Sequence, residues 1–142
     1  MKTCTRRLEF DFGHRLLNHE SKCAHIHGHR GIIEVTCAAE ALDVAGRVID
    51  FSALKELVGG WIDVRLDHSF IVNPLDVAML DFLEENAQRH FVMPKQLSEP
   101  SAENIAKLVY DVASELVRPR GIIVERVRFY ETPNGWADSE GE

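Results

Sequence analysis

From Thr3 to His14 apolar and polar positions alternate, with Leu8, Phe10, Phe12 and His14 on one parity and Arg7, Glu9 and Asp11 on the other. A period of two predicts a half-buried strand whose apolar face ends in a histidine. The β-branched Ile32, Ile33, Val35 and Thr36 predict a second strand over His27–Ala38, with His27, His29, Ile33 and Val35 on one of its faces. After Asp50-Phe51 the pattern turns helical: Ser52 as cap, then Leu54, Leu57, Val58, Trp61 and Ile62, with Gly59-Gly60 costing the helix about 1 kcal/mol each. A second helix is predicted behind Pro74, from about Asp76 to His90. The strongest helical stretch has Ser101 as cap, Ile105, Leu108, Val109, Val112 and Leu116 on one face, and Pro119 and Gly121 closing it. Strand character returns over Ile122–Glu131, with Ile123, Val127, Phe129 and Glu131 on one parity; Glu125 breaks the pattern, as a bulge or an exposed edge would. Strands at both ends and helices between them predict an α+β domain with an antiparallel sheet rather than alternating βαβ units.

Length adds that residues 1–142 make one domain, with enough chain for a single core, and no internal repeat or flexible linker divides it. No glycine-rich phosphate loop follows a strand. The net charge of −7 has the wrong sign for coating nucleic acid. Absence of a long apolar run or a basic-then-apolar leader points away from membranes and export, towards the cytoplasm. Three cysteines without an export signal argue against a disulfide framework.

Histidine is the entry of the composition that carries chemistry: of seven, five (His14, His19, His25, His27 and His29) fall between positions 14 and 29. His27 and His29 project from one strand face, and His14 ends the apolar face of the other strand, so three imidazoles can converge. Three neutral histidines around Zn²⁺ leave an open coordination position and the full charge of the ion, as in catalytic sites. Solvated or hydrogen-bonded core histidines are the plainer alternative, and Gly28 between the pair suits either a close backbone approach or a bulge. Cys23 reads equally as a fourth ligand or as a free thiol activated by the nearby cation and Lys22. Cys37 lies about 26 Å along the strand from His29, too far to share a metal, and is expected in the core. Arg15, Lys22 and Arg30 against Glu20 give the cluster a local positive balance that suits a small anion. Leu66-Asp67-His68 is either helix-end chemistry or a proton shuttle, although adjacent residues on regular structure point apart. Glu131, on an apolar parity, is either an exposed strand end or a carboxylate awaiting N–H donors from a ligand.

Taken together, Phe10-Asp11-Phe12-Gly13-His14-Arg15-Leu16, Lys22-Cys23 with His27-Gly28-His29, Val48-Ile49-Asp50-Phe51, Leu66-Asp67-His68, Pro100-Ser101-Ala102-Glu103-Asn104 and Tyr130-Glu131-Thr132-Pro133 resemble the 6-pyruvoyl tetrahydropterin synthase family. They run in the family's order over nearly the whole chain. The short gap from Cys23 to His27 is similar to that of its bacterial branch, the 6-carboxy-5,6,7,8-tetrahydropterin synthases of queuosine and other deazapurine pathways. The resemblance implies a tunnelling fold, an antiparallel sheet with two main helices on one face, assembled into rings, commonly hexamers, whose active sites are shared between subunits. It implies His14, His27 and His29 as zinc ligands, Cys23 as catalytic thiol with Asp67 and His68, and Glu131 as the pterin anchor. Ser101 stands where the family often has threonine and keeps a hydroxyl for capping or for the pterin. The implied substrate is 7,8-dihydroneopterin triphosphate, and the implied products are 6-carboxytetrahydropterin, acetaldehyde and triphosphate. The alternatives are triphosphate elimination without carbon loss, giving the 6-pyruvoyl product, and a non-catalytic module held together by zinc.

Overall fold

The protein is described by a computed structural model over residues 1–19 and 21–141. Six strands form one sheet: β1 (Lys2–His14), β2 (His27–Ala39), β3 (Ser69–Val72), β4 (His90–Val92), β5 (Ile123–Thr132) and β6 (Gly135–Glu140), in the spatial order β4-β3-β1-β2-β5-β6. The expected antiparallel sheet is therefore correct for β1, β2, β5 and β6 and needs amending at one end, where β3 runs parallel to β1 and β4 parallel to β3. These two added strands enclose a helix in a βαβ unit that short apolar runs alone do not announce.

Two helical stretches pack on the sheet's apolar face. One comprises α1 (Phe51–Leu54), a π-helical segment (Lys55–Gly59) and α2 (Gly60–Arg65). Asp50 rather than Ser52 caps it, its carboxylate accepting the Ser52 N–H at 2.8 Å. The glycine pair thus falls where the helix widens to π geometry and continues. The other stretch is α4 (Ala102–Val117), capped by Ser101 as its sequence predicts, with the hydroxyl 3.2 Å from the Asn104 N–H. The shorter α3 (Val77–Glu85) ends before the predicted His90, because Ala87 takes a left-handed conformation and the chain straightens into β4. Leu54, Val58, Ile62, Ile105, Val109 and Ala113 from the helices meet Ile33, Val35, Val127 and Phe129 from the sheet, all buried. This layer, at about 25 cal/mol per Å² of apolar surface removed from water, is the main stabilising term.

Glu125 marks a bulge: Thr36 pairs with Arg126 and Cys37 with Val124, leaving Glu125 between them without a partner on β2. The extra residue reverses parity, so Val124 is buried while Ile123, expected inward, is half exposed. The sheet is open on both sides. β6 is an edge strand, and β3 covers only Phe12–His14 of β1, so the rest of that edge has no strand partner among the described residues.

Candidate metal centre and active site

β1 and β2 pair in a register that sets His14 opposite His27 and Phe12 opposite His29. All three histidines project from the apolar face, at the end of the two strands, so the core runs directly into a cluster of imidazoles. The Phe12 ring packs 5.0 Å from that of His14 and 5.5 Å from that of His29, forming an apolar floor. That floor requires a glycine at Gly31, where an added Cβ would stand 2.8 Å from the Phe129 ring and 3.1 Å from that of Phe12. Gly28 makes the close backbone approach, since a methyl there would meet the Phe12 carbonyl oxygen at 3.1 Å.

One ligand nitrogen from each of His14, His27 and His29 lies within 4.8 Å of the other two. The outer nitrogens of two of them are fixed: His14 Nδ1 lies 2.8 Å from the Pro100 carbonyl oxygen and His27 Nδ1 2.7 Å from that of His25. A carbonyl only accepts, so each Nδ1 carries a proton, which leaves Nε2 as the atom available to a ligand. The Nε2 atoms of His14 and His29 are buried without a hydrogen-bond partner. Burial depresses the pKa of His14 to about 4, opposed by its bond to Pro100 and assisted by the other two imidazoles, and burial lowers that of His29 as well. Converging imidazole nitrogens, two of them buried and unsatisfied, are the donor set a divalent metal needs, and the Pro100 and His25 carbonyls are the outer contacts that orient such ligands.

Glu131, at the end of β5, places Oε1 3.2 Å from His14 Nε2 and 3.8 Å from His29 Nε2. His14 is neutral at pH 7, so this contact is no ion pair. Glu131 is absent from the mutually close donor set and stands at its rim. Cys23 is also outside that set. It lies half buried on a 3₁₀ turn (Lys22–Ala24) in the loop joining β1 to β2, and its carbonyl accepts the Leu16 N–H at 2.9 Å.

Asp67 and His68 do form the pair their adjacency argued against. His68 has a left-handed backbone (φ 59°), which turns its Nδ1 to 2.8 Å from Asp67 Oδ2. Strand β1 holds the turn: the Asp11 N–H donates to Asp67 Oδ1 at 2.9 Å and the Asp11 carbonyl accepts the His68 N–H at 2.7 Å. Arg89 adds donors to the carbonyls of Asp67 and Asp63, each at 2.9 Å. His68 lines a cavity of about 390 Å³ with Asp11, Phe70, Phe82 and Arg89, whereas His14, His27, His29, Cys23 and Glu131 do not. Within one chain the histidine cluster and the Asp67–His68 pair therefore lie in different places.

The basic rim expected from Arg15, Lys22 and Arg30 is largely neutralised. Arg15 makes a bidentate bridge to buried Asp76, at 2.7 and 2.6 Å, and Arg30 pairs with Asp11 and Glu9. Lys22 alone of the three is outside an ion pair among the described residues, and Glu20 lies outside those residues. Cys37 is in the core as expected, its thiol pushed up to about 12 by burial. Cys4 faces it across the strands and points to the Ile49 carbonyl. Sequence reasoning missed Asp76, Arg89 and Glu99, whose side chains brace these elements; their partners are far away along the chain, so no local spacing reveals them.

An α+β sheet layer carrying a partly buried three-histidine cluster with a carboxylate at its rim defines a small domain with a candidate metal site. Residues 3–142 match the 6-pyruvoyl tetrahydropterin synthase family, and the chain belongs to that family of pterin synthases. Among curated relatives, the chain is 38% identical over 135 residues to a 6-carboxy-5,6,7,8-tetrahydropterin synthase of Rickettsia bellii, covering 94% of this chain and 96% of the relative. It is 40% identical over 136 residues to the protein of that description from Rickettsia conorii, with the same coverage. An uncharacterized protein of Wolinella succinogenes superimposes with a TM-score of 0.84 at 24% identity, over 99% of this chain and 98% of that one. The 6-pyruvoyl tetrahydropterin synthase of Caenorhabditis elegans does so with a TM-score of 0.71 at 21% identity, over 99% and 96%. These likenesses support the tunnelling fold. No helix among the described residues is long and apolar enough to cross a membrane.

Proposed function

We propose that the protein is a zinc-dependent 6-carboxy-5,6,7,8-tetrahydropterin synthase, a lyase converting 7,8-dihydroneopterin triphosphate to 6-carboxytetrahydropterin, acetaldehyde and triphosphate. Its place is queuosine or related deazapurine synthesis in the cytoplasm. The observation that carries this reading is the pair of buried, partnerless Nε2 atoms at the histidine cluster, in a chain whose curated relatives bear that description. His14, His27 and His29 would hold the metal, which when bound supplies positive charge to polarise a side-chain oxygen of the substrate.

The remaining roles fall to the chain's own groups. Glu131 accepts the amino and ring N–H groups of the pterin, and its position at the rim of the histidine cluster would set the side chain of the substrate beside the three imidazoles. Cys23, free of the donor set, takes a proton from that side chain as a thiolate. His68 moves a second proton at Nε2, since Nδ1 is engaged by Asp67, whose carboxylate stabilises the imidazolium that forms. Ser101 spends its hydroxyl on the α4 cap, which leaves its lone pairs only partly available for a substrate contact.

Because Asp67–His68 and the histidine centre occupy separate places in one chain, the complete site needs a second copy. The two open sheet edges are suited to head-to-tail pairing of chains into a closed ring, with a hexamer as the expected assembly. Incubation of zinc-replete protein with dihydroneopterin triphosphate, followed by mass analysis, tests the reading. A 6-carboxypterin with acetaldehyde is expected; a pyruvoyl product would move the protein to the other branch, and no consumption would overturn the assignment. Chelation should leave a folded, inactive protein, whereas unfolding on chelation would favour a zinc-held structural module.

A further inference from the structure

The geometry points to Glu99 as a positioning residue for the Cys23 loop. Residues 15–26 leave one metal-ligand candidate, His14, and return to another, His27, carrying Cys23 between them. Glu99 lies far away in sequence, just before α4, yet its carboxylate receives that loop's backbone: Oε1 accepts the Leu17 N–H at 2.9 Å and Oε2 the Asn18 N–H at 3.0 Å. Oε1 also accepts from Asn73 Nδ2 at 2.8 Å, a side chain that is 1% exposed. Two consecutive amides and a buried carboxamide converging on one carboxylate use both of its oxygens and fix its orientation.

The support under Glu99 is closely hydrogen-bonded. Asn104 donates to the carbonyls of Leu97 and Glu99, at 2.9 and 3.0 Å, Ser101 caps α4, and the carbonyl of Pro100 holds His14 Nδ1. One short stretch therefore orients a metal-ligand candidate through Pro100 and the thiol-bearing loop through Glu99. The turn before α3 supplies the second wall, with Asn73 against Glu99 and Asp76 against Arg15. Within the loop, the Leu16 N–H to Cys23 carbonyl bond transmits this anchorage to the thiol residue. The clamp thus sets the thiol's position relative to the histidine centre. This inference rests on Cys23 as the reacting thiol.

The test compares zinc-loaded full-length wild type with Glu99→Gln. Glutamine preserves volume but replaces one acceptor by an NH₂ group that confronts a backbone donor. Expected are retained zinc, amide exchange at Leu17 and Asn18 faster by about tenfold, and kcat lower by about ten- to a hundredfold with KM changed less than about threefold. Alkylation of Cys23 by iodoacetamide, followed by peptide mass mapping, should become faster. Easier reagent access with slower turnover separates lost positioning from lost stability, which alters neither while the variant stays folded. Turnover within about twofold of wild type, or unchanged exchange at Leu17 and Asn18, overturns the proposal. If Glu99→Gln fails to fold, exchange in wild type decides: protection of those two amides above their loop neighbours upholds the clamp, and its absence overturns it. If wild type consumes no substrate, the proposed reaction fails on its own, and exchange with alkylation still judges the clamp.

Discussion

Asp76→Asn removes the charge from the most buried ion pair in the described residues. Asp76 is 3% exposed, its two oxygens meet the Arg15 guanidinium at 2.7 and 2.6 Å, and Oδ1 also caps α3 through the Met79 N–H at 3.3 Å. Removing one partner of a buried pair costs about 3–5 kcal/mol, mainly through the stranded charge. The Arg15 side chain is 26% exposed, so water recovers part of that, and asparagine retains a capping oxygen; the expected loss is about 2–3 kcal/mol. Equilibrium urea unfolding at fixed protein concentration reads it as a lower midpoint with unchanged slope. Adding Arg15→Met should restore about 1 kcal/mol or more, because the stranded guanidinium is gone. A loss below about 1 kcal/mol for Asp76→Asn, the range of exposed pairs, would refute the reasoning, as would a double variant less stable than Asp76→Asn alone.

Two further outcomes are expected. Metal-free protein should lose stability as the pH falls from about 6.5, the ordinary histidine value, towards about 4, where His14 titrates in the fold. The unfolded chain binds more protons across that window, so the sign is destabilising on acidification, and His14 alone contributes about 3 kcal/mol; urea midpoints that stay flat from pH 7 to 4.5 would contradict this. Cys23→Ala should bind zinc stoichiometrically and lose turnover, by metal analysis and product assay, whereas a metal-free, unfolded variant would make the thiol a ligand.

The long elements were legible in the sequence because each repeats its period many times: Leu8 to His14 on β1, Ile33 and Val35 on β2, Ile105 to Leu116 on α4. β3 and β4, at four and three residues, are too short to express alternation, and β6 carries the unpatterned Gly135-Trp136-Ala137-Asp138-Ser139-Glu140. Their pairing is decided by tertiary context. At the candidate site, strand parity located the imidazoles because side-chain direction follows from register. The Asp67–His68 contact was hidden because it depends on a left-handed backbone at a residue other than glycine. Arg15 and Arg30 read as a basic rim because their acidic partners at 76 and 11 become neighbours only on folding.

The cross-strand pairing of His14 with His27 has a consequence for how this protein can change. The donor set is written into the sheet ladder, while the thiol rides on the intervening loop, so the two are separable inheritances. Insertions, deletions or substitutions in that loop can retune what the centre does without dismantling the centre itself, because β1 and β2 keep their register through the further residue pairs from Lys2↔Ala39 to Gly13↔Gly28. The hairpin ladder fixes the three imidazoles, and the loop, held outside that ladder, is the place where a different side chain can be set beside them.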